Sequence, residues 1–163
     1  MSLFQFLASN TLLEEVRNPF IEFLSMNEAI RRNIEPGYIM VNDKEIDNDE
    51  KIMMICDSEE HLNEIIIFHD MYHSPIYAEE YSEKKYFAEL QWQYSKERVN
   101  KLIDYLKDQL TFTDEIEIWS IWIDEHKPAN IKSVNIDELN IKDLEFLDIS
   151  KGYETPRGVI IKK

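Results

Sequence analysis

The spacing of apolar residues changes within residues 84–123, and the change marks three consecutive elements. From Tyr86 to Tyr94 apolar residues alternate with mostly polar ones, which is typical of a strand with one buried face. After Ser95, a suitable helix cap, the apolar residues follow helical spacing. These helical positions are Val99, Leu102, Ile103, Leu106 and Leu110. Because residues 115–124 again favour a strand, the sequence predicts a β-α-β segment at about 86–123, with a right-handed crossover if its strands are parallel.

The rest of the chain is rich in short apolar runs separated by polar connections. Ser25 and Glu28 stand at capping-box spacing before a short helix at 26–33, and Asn140 is placed to cap another. The polar stretch 58–63 is short enough for a hairpin-type connection. Strands are predicted at 2–9, 37–40, 51–57, 64–70, 131–137 and 157–163, with a further apolar run at 19–25. The last strand is expected at a sheet edge because lysines occupy its end.

These elements predict an α+β fold with a mixed, mostly antiparallel sheet and two or three helices packed on it. The chain has 163 residues, the usual size of one domain, and can bury about 70% of its unfolded surface without a metal or disulfide. Only 3 glycines and 5 prolines are present, which argues against a long flexible linker. We therefore expect a single globular domain over residues 1–163.

Acidic residues outnumber basic ones by 33 to 18, for a formal charge of −15. This charge repels phosphate backbones and anionic lipid surfaces, so the sequence predicts neither a nucleic-acid partner nor a membrane partner. The same charge is compatible with solubility alone, with a basic protein partner, or with imitation of the charge of a nucleic acid. It therefore limits the function without defining it.

Cys56 is the one cysteine, which excludes an internal disulfide and any zinc site built from several cysteines. It follows an apolar run that favours a buried strand, so we interpret it as a small core residue. The amino-terminal stretch has no positive charge before its apolar residues and is not typical of a secretory signal. No apolar run is long enough to span a membrane. A cytoplasmic location is expected.

His69, Asp70 and His73 form the most conspicuous candidate site for a metal ion. Two histidines four residues apart resemble a zincin motif, with Asp70 where the catalytic glutamate stands, and His69-Asp70 also matches the signature of HD phosphohydrolases. Both motifs require helices, whereas isoleucines at 65–67 favour a strand that ends in a loop. In an extended segment, residues four apart lie about 13 Å from each other. The alternative is a loop histidine that is solvated or hydrogen-bonded to a carboxylate.

The other motifs of enzymes and cofactor sites are missing from the sequence. Residues 42–50 are acidic, but an EF-hand register that begins at Asp43 places Asn48 where the loop needs glycine and Met54 where it needs glutamate. Three glycines cannot build a phosphate-binding loop, and no GxSxG motif occurs. The sequence therefore predicts no catalytic residues and no cofactor.

Two aromatic features are candidates for interaction with a partner. Trp119 and Trp122 have odd spacing, so in a strand they point to opposite faces, and the sheet can bury one while the other is exposed. Tyr153 lies just before the last predicted strand and Arg157 lies at its start, and the exposed edge of that strand is suited to accept a strand from a partner. Core packing for at least one tryptophan, and pairing of Arg157 with the acidic surface, are the alternatives.

Two functional hypotheses follow from these observations. The first is a non-catalytic binding module whose acidic surface meets a basic protein partner, as in toxin-neutralising or nucleic-acid-mimicking proteins. The second is a small metal-dependent enzyme or metal-binding protein that uses His69, Asp70 and His73, with His126 or an acidic residue as a further ligand.

Overall fold

A computed structural model gives the fold of this chain and describes residues 2–35, 47–123 and 126–163. Contacts divide the chain into two compact units: Met1–Arg17 together with Glu64–Lys163, and Asn18–Asn63. The predicted strand at 37–40 lies outside the described residues. Whether residues 1–163 fold as one domain stays a prediction. No helix among the described residues is long and apolar enough to cross a membrane.

The described residues form eight strands, four α-helices and two 3-10 helices. The strands are β1 (Leu3–Ser9), β2 (Glu22–Leu24), β3 (Met53–Ile55), β4 (Ile66–Phe68), β5 (Tyr86–Gln91), β6 (Glu115–Trp122), β7 (Asn130–Asn135) and β8 (Arg157–Lys162). The helices are α1 (Met26–Arg31), α2 (Glu59–Leu62), α3 (Ile76–Glu79), α4 (Lys96–Gln109), and the 3-10 helices η1 (Ile141–Leu147) and η2 (Ile149–Lys151).

Six strands of the larger unit form one sheet in the order β4-β5-β1-β6-β8-β7. Every pairing is antiparallel except that between β7 and β8. The predicted α+β class with a mixed, mostly antiparallel sheet is therefore confirmed. Since β5 and β6 are each antiparallel to β1, which lies between them, they are parallel to each other. The predicted β-α-β segment is present, with β1 between its two strands.

Helix α4 forms where the period of the sequence changes. The Ser95 side chain accepts a hydrogen bond from the Arg98 backbone N–H at 3.2 Å, which satisfies an otherwise unpaired amide of the first turn. The apolar stripe of the helix is buried against the sheet. Each fully buried leucine or isoleucine contributes about 1.5–3 kcal/mol, so this packing holds the helix more firmly than its cap does.

The large sheet is buried on both faces. Leu7 belongs to the core on one face, together with α4 and η1, whereas Phe6 and Ala8 belong to the core on the opposite face. We call the second face the aromatic face, because it buries Phe4, Phe6 and Trp119. Burial on both sides explains why β1 is almost continuously apolar rather than alternating.

Two predictions are wrong: the edge position of the last strand, and the hairpin connection at residues 58–63. Strand β8 is not an edge strand, because it lies between β6 and β7. Its lysines stand only at the very end of a strand that is otherwise mostly buried. The edge belongs to β7. Residues 58–63 do not close a hairpin: Ser58 caps α2 by accepting from the His61 N–H, and β3 and β4 belong to different sheets.

The described part of the smaller unit contains the antiparallel pair β2–β3 and the helices α1 and α2. Leu24 and Met53 are register partners, and both are buried with Ala29 of α1. The predicted capping box is present: the Ser25 hydroxyl accepts from the Glu28 N–H, and the Glu28 carboxylate accepts from the Ser25 N–H. One face of the two-stranded sheet thus holds the core of this unit.

Candidate functional site

His69 lies just after β4, with its imidazole between two backbone carbonyls. Nε2 is 2.8 Å from the oxygen of Leu13, and Nδ1 is 3.2 Å from the oxygen of Phe87. The backbone N–H of His69 donates to Glu15 at 3.0 Å. Because a carbonyl oxygen only accepts hydrogen bonds and a neutral imidazole carries one N–H, the tautomer decides which carbonyl the ring donates to. With its backbone bond to Glu15, His69 lies where three separate segments of the larger unit meet. This environment gives His69 a structural task.

His73 faces a buried carboxylate on the aromatic face. Its Nδ1 is 3.2 Å from Glu89 Oε1, and its backbone N–H donates to Oε2 of the same residue at 3.3 Å. Glu89 is only 2% exposed and also accepts from Gln91 at 3.0 Å, so three donors offset the cost of burying its charge. The Phe4 ring lies 4.9 Å from the imidazole. A carboxylate that holds Nδ1 fixes the ring orientation, as in histidines that bind metals or act as bases.

The structure gives His69 and His73 separate partners. Asp70 is exposed, and His126 bonds to Glu80 at 3.0 Å on the surface. Across residues 2–35, 47–123 and 126–163, no group of three or more histidine, cysteine, aspartate or glutamate side chains is arranged to hold a metal ion. A metal site at His69, Asp70 and His73 stays a prediction.

Trp119 lies inside the aromatic face and is 2% exposed. Its ring stacks on Phe6 with centroids 6.2 Å apart, and its indole N–H donates to Glu117 at 2.9 Å. Aromatic stacking and a satisfied N–H make this a core residue with no surface for a partner. The alternative of core packing, raised for at least one tryptophan, therefore describes Trp119.

The other three predicted interaction residues come together at the start of β8. The Trp122 indole N–H donates to the Tyr153 carbonyl at 2.8 Å, and the guanidinium carbon of Arg157 lies 3.8 Å from the centroid of the Tyr153 ring. We call this group the Trp122–Tyr153–Arg157 cluster. The sequence places Tyr153 near Arg157, but only the pairing of β6 with β8 brings Trp122 to them.

A second surface lies on the outer face of β2–β3. Phe23 and Met54 are register partners with 51% and 49% of their surface exposed, on the side opposite the buried pair. We call it the Phe23–Met54 face. Sequence reasoning missed it because three-residue strands are too short to show alternation and the run around Met54 favours a wholly buried strand. Cys56, expected in the core, is half-buried, with Sγ 3.4 Å from the Ser58 carbonyl.

The unit that carries this face has a large surplus of acidic residues. Residues 18–63 contain eleven acidic and four basic side chains. Arg32 forms two hydrogen bonds of 2.8 Å with Glu22, which lower the pKa of that carboxyl, and Lys51 lies 3.3 Å from Glu28. In the described part of the chain, other exposed acids of the unit have no basic partner. These are Glu35, Asp47, Asp49, Glu50, Asp57 and Glu59.

We compared this chain with models of protein families, with curated proteins and with solved structures, and none of the three comparisons gave a match.

Proposed function

We propose that this protein is a non-catalytic binding module that recognises a basic protein through the Phe23–Met54 face. The observation that carries the proposal is an exposed cross-strand apolar pair in a unit with eleven acidic and four basic residues. Interfaces combine an apolar centre with a polar rim, and this unit supplies an exposed apolar pair together with exposed carboxylates. The partner that fits is cationic, with an apolar side chain among its basic residues.

The carboxylates of the unit and the apolar pair of the face have different tasks. Unpaired carboxylates attract a cationic partner over a distance and raise the association rate, an effect that salt screens within about 8 Å at physiological ionic strength. The apolar pair loses water only when the complex forms, so it slows dissociation. Salt and substitution therefore separate the two contributions.

The test measures binding of the full chain to a panel of purified basic proteins, with acidic proteins of similar size as controls, at about 20 mM and about 300 mM NaCl. We expect at least one basic protein to bind with an association rate that falls steeply with salt. Replacing Asp47, Asp49 and Glu50 by Asn, Asn and Gln lowers that rate and its dependence on salt. Replacing Phe23 and Met54 by serine weakens binding about tenfold or more, through faster dissociation.

Ile131→Ser is the matched control, because Ile131 is also exposed but lies on β7 of the larger unit. We expect this variant to bind as the unmodified chain does. Absence of binding to every basic protein, affinity that salt leaves unchanged, or an equal effect of the serine substitutions at Ile131 and at the Phe23–Met54 face contradicts the proposal. Circular dichroism checks that each variant is folded.

A further inference from the structure

A cavity of about 210 Å³ opens beside the Trp122–Tyr153–Arg157 cluster in the larger unit. It lies between the edge strand β7, its neighbour β8 and the 3-10 helix η1. The lining residues that matter here are Lys132, Lys142, Asp143, Glu145, Phe146 and Arg157. Drug-sized ligands occupy cavities of about 300–1,000 Å³, so this one accepts a small molecule or a single chemical group.

The charge of the cavity is opposite in sign to that of the whole chain. Three cations and two acids line it, in a protein with a formal charge of −15. The acids are already engaged. Asp143 accepts from Lys132 and from the Asn140 backbone N–H at 3.0 Å, and Glu145 lies 3.3 Å from Lys151. Within the described residues, Lys142 and Arg157 have no acidic partner.

Arg157 is held in place, but its hydrogen-bonding capacity is not fully used. Its guanidinium stacks on Tyr153 at 3.8 Å, and Tyr153 is held in turn by the hydrogen bond from Trp122 to its carbonyl. Stacking occupies the flat side of a guanidinium and leaves its N–H donors, which point outward in the plane, for a ligand. Nε of Arg157 is buried and finds no hydrogen-bond partner in the described part of the chain. An acceptor brought to this guanidinium therefore meets a fixed donor.

We propose that this cavity binds a small organic carboxylate, with its carboxylate group at Arg157 and Lys142 and its apolar part against Phe146. Arginine matches a carboxylate with two parallel hydrogen bonds, and lysine adds a point charge. Three cations against two acids suit a ligand with one negative charge, while the two lining carboxylates repel a doubly charged phosphate. Phe146 is buried in the core and supplies a rigid apolar wall.

The experiment is a titration of the full chain with sodium benzoate, followed by ¹H–¹⁵N NMR and by calorimetry, with benzamide and inorganic phosphate as comparison probes. Benzamide has the same ring without the charge, and phosphate has the charge without an apolar part. We expect saturable binding of benzoate, with shifts of the Arg157 Nε–H signal and of amides near Lys132 and Lys142. Benzamide and phosphate should bind at least about tenfold more weakly.

Substitutions locate the site. Arg157→Lys keeps the charge but loses the stack and the paired donors, and should weaken benzoate binding about tenfold. Lys142→Gln alters an exposed side chain and should weaken it several-fold without affecting folding. Lys107→Gln removes the same charge from the exposed side of α4 and should change nothing. Shifts spread over all surface cations, phosphate binding as tightly as benzoate, or equal effects of the Lys142 and Lys107 variants overturn the proposal.

Discussion

At the scale of single residues, the environment of His69 decides between a structural task and a metal-binding one. Its ring lies 2.8 Å from the oxygen of Leu13 and 3.2 Å from the oxygen of Phe87, so His69→Ala leaves at least one of these carbonyls without its donor. We expect the free energy of unfolding to fall by about 1–3 kcal/mol. Urea denaturation followed by tryptophan fluorescence measures this loss.

The decisive comparison repeats that measurement after dialysis against a chelator. If His69 has a structural task, His69→Ala lowers the free energy of unfolding by the same amount with and without chelator. If His69 binds a metal, the chelator destabilises the unmodified chain, and the difference between the unmodified chain and the variant disappears. His126→Ala is the matched control, since His126 bonds to Glu80 on the surface and its loss should change stability by less than about 0.5 kcal/mol. A chelator that destabilises the unmodified chain but not the His69→Ala variant would support the metal hypothesis.

Residue identities indicated His69 and His73 but not their partners. The three isoleucines before His69 correctly indicated a strand that ends at the histidine, and the alternative of a carboxylate partner describes His73. That partner, Glu89, is one of 33 acidic residues and is 16 positions further along the chain. Only the pairing of β4 with β5 brings the two segments together, and no local pattern in the sequence specifies that pairing.

At the scale of elements, the close approach of β8 to β6 depends on Gly158. Trp119 is its register partner, and a methyl group added at Gly158 would lie 2.6 Å from the indole ring. The ring cannot swing away because it is buried in the aromatic face. We expect Gly158→Ala to lower the free energy of unfolding by about 1–3 kcal/mol through overpacking, as measured by urea denaturation.

A double-mutant cycle isolates this contact. In a Trp119→Phe background the smaller ring leaves room for the methyl group, so Gly158→Ala should cost much less there. Gly152→Ala is a control for the backbone alone: its φ of 63° disfavours alanine, but nothing lies within 4 Å of the added methyl group. Equal costs of Gly158→Ala in both backgrounds would show that the indole contact is unimportant.

Elements with a clear period were predictable and their order in the sheet was not. The alternation up to Tyr94 and the helical stripe after Ser95 gave β5 and α4, because the two periods reflect burial of one face. The lysines at the end of β8 indicated an edge strand, yet β7 pairs beside it. That pairing is parallel and depends on the long connection through η1, which local sequence patterns do not encode. The cavity beside η1 is therefore beyond prediction from the sequence, although Tyr153 and Arg157, which line it, are candidates for interaction from the sequence alone.

At the scale of the whole molecule, two electrostatic effects oppose each other. The net charge of −15 repels itself at neutral pH and weakens the folded state. Individual ion pairs stabilise it, and in each unit they keep carboxyl groups ionised. A hydrogen bond from Lys84 lowers the pKa of Glu115. Burial raises the pKa of Glu64, but hydrogen bonds from Lys101 and the Ile65 N–H outweigh burial, so the pKa of Glu64 is lowered as well. The pKa of Glu28 is lowered in the same direction by the Ser25 N–H.

The sign of the pH dependence follows from these lowered values. A carboxyl whose pKa is lower in the folded state than its ordinary 4.5 stabilises the fold fully above that pH, and the stabilisation is lost as the pH falls through the folded value. We therefore expect the free energy of unfolding to decline once the pH is below 4.5, even though the net charge is then close to zero at the isoelectric point of about 4.6. Urea denaturation between neutral pH and the acid range measures this.

Glu64→Gln tests whether buried ion pairs cause the decline. Glu64 accepts from Lys101 at 2.7 Å and lies 3.6 Å from Arg98, so its neutralisation should cost about 1–3 kcal/mol at pH 7. The cost should shrink in acid, where the natural carboxyl is protonated as well, so the variant loses less stability on acidification than the unmodified chain. Glu138→Gln, at an exposed position with no ion pair in the described residues, should leave the pH profile unchanged. If both variants follow the profile of the unmodified chain, relief of charge repulsion rather than specific pairing governs its response to acid.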